Sequence, residues 1–161
     1  MTLRFAILTI SDRSSRGERP DTSGPALTEL VHSQGWQVVQ QEIVPDEIDA
    51  IQSVLKSWSD TGQADVILAT GGTGFAPRDV TPEATRAIFE RLTPGLDEAM
   101  RAASLQVTPH AMLSRAVSGI RKRTLIITLP GSPKGATENL QVVLPVLEHA
   151  LNLLREEDAG H

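Results

Sequence analysis

The sequence predicts one α/β domain built on a largely parallel sheet whose faces are covered by helices. Three observations carry that expectation. Short apolar runs alternate along the chain with amphipathic helical stripes, the pattern of consecutive βαβ units. Four of those runs pass into Gly, Asp, Ser or Thr, two of them directly and two through a single proline. The 161 residues carry no internal repeat, low-complexity tract or linker, and they match the usual size of a single domain.

Phe5–Ile10 is the first apolar run and predicts a strand ending at Ser11-Asp12. Leu27, Leu30 and Val31 recur at helical spacing across Gly24–Gln34, with Ser23 as N-cap and Pro25 in the first turn. Trp36–Val44, with Val38, Val39, Ile43 and Val44, predicts a second strand. Ile48, Ile51, Leu55 and Trp58 form one helical stripe over Glu47–Ser59. Val66–Ala69 predicts a third strand that runs into a glycine loop. Thr81-Pro82, a cap followed by a first-turn proline, opens a helix reaching about Leu92, and Leu96, Ala99, Met100 and Ala103 suggest a further short one. Leu125–Leu129 predicts the last strand, and Gly119–Arg123 before it reads as a turn or the tip of a hairpin. Leu140, Val143, Leu144, Leu147, Leu151 and Leu154 make a closing stripe. Pro145 interrupts it at a cost of about 3 kcal/mol, so a kink or a junction of two helices is expected. Residues 1–155 therefore read as one domain and 156–161 as a polar, frayed tail.

Bulk properties narrow the function. A net charge of −5 argues against nucleic acid as the main partner. The absence of cysteine excludes disulfides, thiolate metal sites and thiol catalysis within this chain, and it suits a cytoplasmic protein. No segment approaches the roughly 18–20 apolar residues of a membrane span, and Phe5–Ile10 is too short for the core of a signal peptide. His32, His110, His149 and His161 show no metal-ligand spacing, so surface or core positions are expected for them.

The loops after the four apolar runs are where chemistry is expected, because ligands of open α/β sheets bind beyond the carboxyl ends of the strands. Gly71-Gly72-Thr73-Gly74 lets backbone amides approach an anion without a Cβ in the way, and the helix opening at Thr81 adds its own amides. The loop is neither a P-loop nor a dinucleotide fingerprint. Asp46 and Asp79 lie at two of these strand ends; beside a phosphate cradle they would repel the ligand unless a cation such as Mg²⁺ intervened. Asp46 also reads as a turn residue and helix cap, and Asp79 as a charge partner of Arg78 or another arginine. Asp21-Thr22-Ser23-Gly24-Pro25 offers hydroxyls and a helix start for a second phosphate. Lys134, directly after the last strand, is a candidate phosphate binder, whereas Arg121–Arg123 reads as a solvated turn.

Taken in order, these segments resemble the Mog/MoaB family. The resemblance is carried by Thr9-Ile10-Ser11-Asp12, by Asp21-Thr22-Ser23-Gly24-Pro25, and by Thr70-Gly71-Gly72-Thr73-Gly74 with Pro77-Arg78-Asp79-Val80-Thr81-Pro82-Glu83. Leu113-Ser114-Arg115 and Leu129-Pro130-Gly131-Ser132-Pro133-Lys134 complete it. It implies a three-layer α/β/α fold with a mostly parallel sheet, assembled as a trimer or hexamer. It also implies molybdenum-cofactor biosynthesis, with Mg²⁺ and ATP adenylylating molybdopterin and releasing pyrophosphate. A molybdopterin-binding carrier without efficient catalysis is the alternative. On this resemblance Asp46 and Asp79 are the catalytic and metal-binding acids, and Thr70, Gly71, Gly72, Thr73 and Gly74 bind ATP. Ser11, Asp12, Ser23, Gly24, Gly131, Ser132 and Lys134 bind molybdopterin and its phosphate.

Overall fold

The computed structural model describes residues 2–156. Its chain order is β1 (Arg4–Ile10), α1 (Asp12–Ser15), α2 (Ser23–Ser33), β2 (Gln37–Val44), α3 (Ile48–Asp60), β3 (Val66–Thr70), α4 (Thr81–Arg86), β4 (Arg91–Leu92), α5 (Pro94–Leu105), β5 (Gly119–Arg121), β6 (Thr124–Leu129) and α6 (Pro133–Arg155), with a 3₁₀ turn at Pro109–Leu113 before β5. The six strands form one sheet in the order β2-β1-β3-β6-β5-β4. β1 pairs in parallel with β2 and β3, and β3 in parallel with β6; β5 and β4 continue the sheet antiparallel. The fold is a three-layer α/β/α sandwich on a mixed, mostly parallel sheet.

The apolar runs explain the two cores. Residues of a strand alternate between faces, so a run without polar gaps can only be buried on both sides. Phe5, Ile7, Leu68, Leu125, Ile127 and Leu129 pack with Leu27, Val31, Met100, Leu140 and Leu147 beneath α2, α5 and α6. Ala6, Leu8, Ile10, Ile67, Ala69 and Ile126 pack with Ile51, Leu55, Trp58, Ala84 and Ile88 beneath α3 and α4. At the first of these layers the Phe5 and Trp36 rings stack with centroids 5.3 Å apart.

Two expectations are corrected, and the choice left open at Pro145 is narrowed. The helix opened by Thr81-Pro82 stops at Arg86 rather than near Leu92. Beyond it, Glu90 N–H donates to the Ile120 carbonyl at 2.9 Å, and Arg91-Leu92 add an edge strand to β5, so ladder pairing wins over helix continuation. Of the two alternatives for the closing stripe, the junction of two helices is excluded: it is one helix with Pro145 inside it. Leu140, Val143, Leu147 and Leu151 stay buried on both sides of that residue, and continuous burial outweighs one lost backbone donor. Arg121 is not a solvated turn residue: it lies in β5 and pairs with Asp60 at 2.9 Å. The hairpin turn itself falls at Lys122, where φ is +53°.

No helix among the described residues is long and apolar enough to cross a membrane. His32, His110 and His149 are exposed. His161 and the tail beyond Glu156 lie outside the described residues.

Candidate active site

The chain leaves β1 to one side to make β2, then crosses to the other side to make β3, so the direction of winding reverses between β1 and β3 while the strands stay parallel. That switch point opens a crevice at the carboxyl ends of the strands. A cleft of about 500 Å³ occupies it, lined by Ser11 after β1, Asp46 after β2, Thr70, Gly71, Gly72 and Asp79 after β3, and Gly131 and Ser132 after β6. Ser23, at the start of α2, lines it as well. The cleft therefore gathers residues from four separate loops, and the first turns of α2 and α6 open onto it.

The glycine loop is held by contacts that leave no room for side chains. Gly71 adopts a φ of +110°, and a Cβ there would fall 2.2 Å from the Ile10 carbonyl oxygen. Its N–H donates to the Leu129 carbonyl at 3.0 Å. Gly72 has a φ of +67°, and a Cβ would meet the Thr81 hydroxyl at 2.4 Å and Asp46 Oδ1 at 3.1 Å. Thr81 closes the loop on itself: its hydroxyl donates to the Gly71 carbonyl at 2.8 Å and its N–H to the Gly72 carbonyl at 3.1 Å. Thr70 Oγ1 donates to the Pro130 carbonyl at 2.6 Å and so ties this loop to the turn after β6.

Asp12 and Asp46 form a reciprocal lock. Asp12 N–H donates to Asp46 Oδ2 at 2.9 Å, and Asp46 N–H donates to Asp12 Oδ1 at 3.0 Å. Arg78 grips the outer side of Asp12 with Nε and Nη2, each at 2.9 Å, and reaches Glu47 at 2.8 Å. That guanidinium holds the Asp12 carboxyl below its usual range. Burial pushes Asp46 the other way, above its usual range; the Asp12 amide opposes the push, and the carboxylates of Asp12 and Asp79 add to it. Asp79 Oδ2 accepts from the Ala76 N–H at 3.0 Å. Among the described residues, Asp46 Oδ1 and Asp79 Oδ1 accept no hydrogen bond, so each acid keeps one oxygen for a ligand.

The remaining candidates divide. Ser23 is not the helix cap; Thr22 holds that position, and the Ser23 hydroxyl donates to the Gly131 carbonyl at 2.5 Å. Asp21 satisfies the helix start instead, accepting from Gly24 N–H at 3.1 Å and from the Thr9 hydroxyl at 2.9 Å. Gly24 is buried behind this arrangement, where a Cβ would strike Asp21 Oδ2 at 2.3 Å. Asp46 does not cap α3, whose N-cap is Glu47, and Asp79 does not pair with Arg78. Asp12 stands behind the cleft rather than in its wall. Thr73 and Gly74 face a neighbouring cavity of about 310 Å³ that shares Ser132 with the cleft. Lys134, in the first turn of α6, is exposed and lies 3.9 Å from Glu138, and it lines neither cavity.

Arg115 is the residue whose role sequence reasoning missed. Its N–H donates to the Thr73 carbonyl at 2.8 Å, Nε to the Gly74 carbonyl at 2.7 Å and Nη2 to the Asp79 carbonyl at 2.7 Å. Nη1 completes the clasp on Glu83 at 2.6 Å. One side chain thus fixes both ends of the segment that carries Asp79. A larger cavity, about 550 Å³, lies at the opposite end of the strands. Arg4 and Arg155 both pair there with the buried Asp65, which makes it a structural ion-pair cluster.

Fold and site together define an open, doubly wound α/β protein with a glycine-walled, acid-lined crevice at the switch point of its sheet. A family model described as a probable molybdopterin binding domain matches residues 6–149, and the chain belongs to that family. It is 54% identical to the molybdopterin biosynthesis enzyme MoaB of Thermus thermophilus, whose structure superposes with a TM-score of 0.90 over 95% of this chain and 96% of that one. It is 41% identical to the molybdopterin adenylyltransferase of Helicobacter pylori J99, over 95% of this chain and 88% of that protein. It is 47% identical to gephyrin of Dictyostelium discoideum over 94% of this chain, which spans only 22% of that longer protein.

Proposed function

We propose that this protein adenylylates molybdopterin in molybdenum-cofactor biosynthesis. The observation that carries the reading is the convergence of Asp46, Asp79, Gly71-Gly72 and the first turns of α2 and α6 on one cleft. The terminal phosphate of molybdopterin has a second pKa of about 6 and is already a nucleophilic dianion at neutral pH. Its oxygen attacks the α-phosphorus of ATP, the bond from that phosphorus to the bridging oxygen breaks, and pyrophosphate leaves. Such a reaction needs no general base, in keeping with a cleft that no histidine lines. It needs alignment and charge neutralisation.

The backbone of Thr70-Gly71-Gly72 and the neighbouring Thr73-Gly74 receive the nucleotide, and Ser11, Ser23, Gly131 and Ser132 receive the phosphate of molybdopterin. Asp46 and Asp79, each with one open oxygen, would hold Mg²⁺. No group of three or more His, Cys, Asp and Glu side chains suited to a metal occurs among the described residues. Two acids fit Mg²⁺ well, because it completes its shell from phosphates and water. When bound, Mg²⁺ neutralises the triphosphate and favours departure of pyrophosphate.

A homotrimer, or a hexamer, is part of this reading. It is supported by the largely exposed edge strand β2 and by exposed apolar residues such as Phe75, Val107 and Met112, which a second copy would cover. A cytoplasmic location accords with the absence of cysteine. The test supplies molybdopterin, ATP and Mg²⁺ and follows pyrophosphate release and the adenylylated product, comparing wild type with Asp79→Ala. Product from wild type alone supports the enzyme. Molybdopterin binding without product makes the protein a carrier, and binding of neither ligand removes the reading.

A further inference from the structure

The cleft has a charge problem that its acids make worse. Asp21, Asp46 and Asp79 all line it, and a triphosphate and a phosphate monoester would bring more negative charge. One divalent cation offsets only part of that. Three basic side chains nearby are engaged elsewhere, Arg78 on Asp12 and Glu47, Arg115 on the loop carbonyls and Glu83, and Arg16 on Glu18, and Arg13 does not line the cleft. Arg19 is the one basic side chain lining the cleft, and among the described residues it makes no hydrogen bond or ion pair.

The backbone delivers it there. α1 ends in a Schellman motif: Gly17, at a φ of +74°, donates to the Ser14 carbonyl at 3.1 Å, and Glu18 N–H donates to the Arg13 carbonyl at 2.9 Å. This turn sends Arg19-Pro20 along the rim of the cleft, and both residues line it. A residue before proline is restricted to extended backbone, so the main chain at Arg19 is already ordered and only the side chain loses freedom when a ligand binds. Pairing with one of the cleft acids would be the resting alternative, yet Asp21 already accepts from Thr9 and Gly24.

We infer that Arg19 is a substrate-binding residue whose guanidinium takes a phosphate group of the bound ligand in a bidentate grip, supplying the fixed positive charge that the cleft otherwise lacks. The inference rests on the adenylylation reading for its choice of ligands. The phosphate belongs either to the nucleotide or to molybdopterin, and the test separates them.

Wild type, Arg19→Gln and Arg19→Lys are titrated by calorimetry with ATP in the presence of Mg²⁺, with pyrophosphate, and with molybdopterin. Arg19→Gln should weaken one ligand by about tenfold, the loss of one charge-assisted contact at an exposed rim. Arg19→Lys should recover part of the affinity, because it restores charge without the fork. Loss for ATP and pyrophosphate assigns Arg19 to the polyphosphate; loss for molybdopterin alone assigns it to the monoester. In turnover assays the loss should appear in KM of the same ligand rather than in kcat. The gap between wild type and Arg19→Gln should shrink in about 0.5 M salt, since the charge is solvent-exposed. Equal affinity of wild type and Arg19→Gln for all three ligands overturns the assignment while leaving the adenylylation reading intact. A wild type that binds none of them overturns both.

Discussion

Substituting Gly71 by alanine tests whether the glycine loop is set by backbone contact. At Gly71 φ is +110°, and the new Cβ would lie 2.2 Å from the Ile10 carbonyl oxygen, where real contacts essentially never fall below 3.0 Å. The obstacle is backbone, so the end of β1 and the loop must separate by most of an ångström, straining the Gly71–Leu129 hydrogen bond. The unfavourable φ costs about 1–3 kcal/mol and the overpacking about 1–3 kcal/mol more. A total of about 2–6 kcal/mol corresponds to a fall in Tm of about 5–20 °C for a domain of this size. Gly35→Ala is the control, with φ of +80° and nothing within 4 Å of the added methyl. It should cost only the left-handed backbone, about 1–2 kcal/mol, or about 3–6 °C. Both Tm values come from circular dichroism melts, and ATP affinity from calorimetry. Gly71→Ala should weaken ATP by about tenfold or more, while Gly35→Ala keeps wild-type affinity. Equal Tm shifts for the two variants would refute the crowding argument.

Asp46→Asn should lower turnover by about 100-fold or more, because the amide is a poor Mg²⁺ ligand. Its Tm should hold or rise, since an Asn oxygen still accepts from Asp12 N–H and repulsion from Asp12 and Asp79 is removed; a fall of several degrees would contradict this. Arg115→Gln removes charge-assisted bonds to the Gly74 and Asp79 carbonyls, worth about 2–3 kcal/mol together at a half-buried position, and should cut kcat/KM by about 30–100-fold. Limited proteolysis should then cleave within residues 74–79, and an unchanged cleavage pattern would sink the clasp. For pH, burial pushes Asp65 up, but the guanidinium groups of Arg4 and Arg155 pull it further down, leaving it below its usual range. A depressed folded pKa adds stability that is complete above the ordinary carboxylate pKa and lost as pH falls through the folded value. Asp65→Asn should therefore melt lower than wild type at pH 7, by about 2–3 kcal/mol, with the gap closing as pH falls below the ordinary carboxylate range. A gap that is constant with pH would exclude an ionised Asp65 as its source.

Much of the architecture was legible in the sequence because parallel strands buried on both faces are nearly continuous apolar runs. Phe5–Ile10, Val66–Ala69 and Leu125–Leu129 each match an observed strand to within a residue at either end. The two-residue strand β4 had no such run; it exists because Gly119 lets the Phe89 ring sit where a Cβ would lie 2.4 Å away, drawing Arg91-Leu92 onto β5. The strand-end loops were visible as polar punctuation, and the structure gathers Asp46, Asp79, Gly71 and Ser132 in one cleft. Which loop residues face that cleft was not visible. Thr73 and Gly74 follow Gly72 directly yet turn toward the next cavity, a consequence of two successive positive φ angles. Ser23 had all the local marks of a cap, but its hydroxyl answers to Gly131, a residue 108 positions away. Arg115 carried no local mark of its role, because three of its four partners are carbonyl groups that any sequence would supply.

The clasp by Arg115 also sets an order of events during synthesis. The loop beginning at Gly71 depends on Arg115, on the Leu129 carbonyl and on the Pro130 carbonyl, all of which leave the ribosome after it. A nascent chain that has emerged only through α4 has Asp46, Asp79 and the glycine loop with its Thr81 contacts, but neither the Arg115 clasp nor the ties to Leu129 and Pro130. The crevice is thus completed only late in translation, once the residues that tie its loops together have emerged.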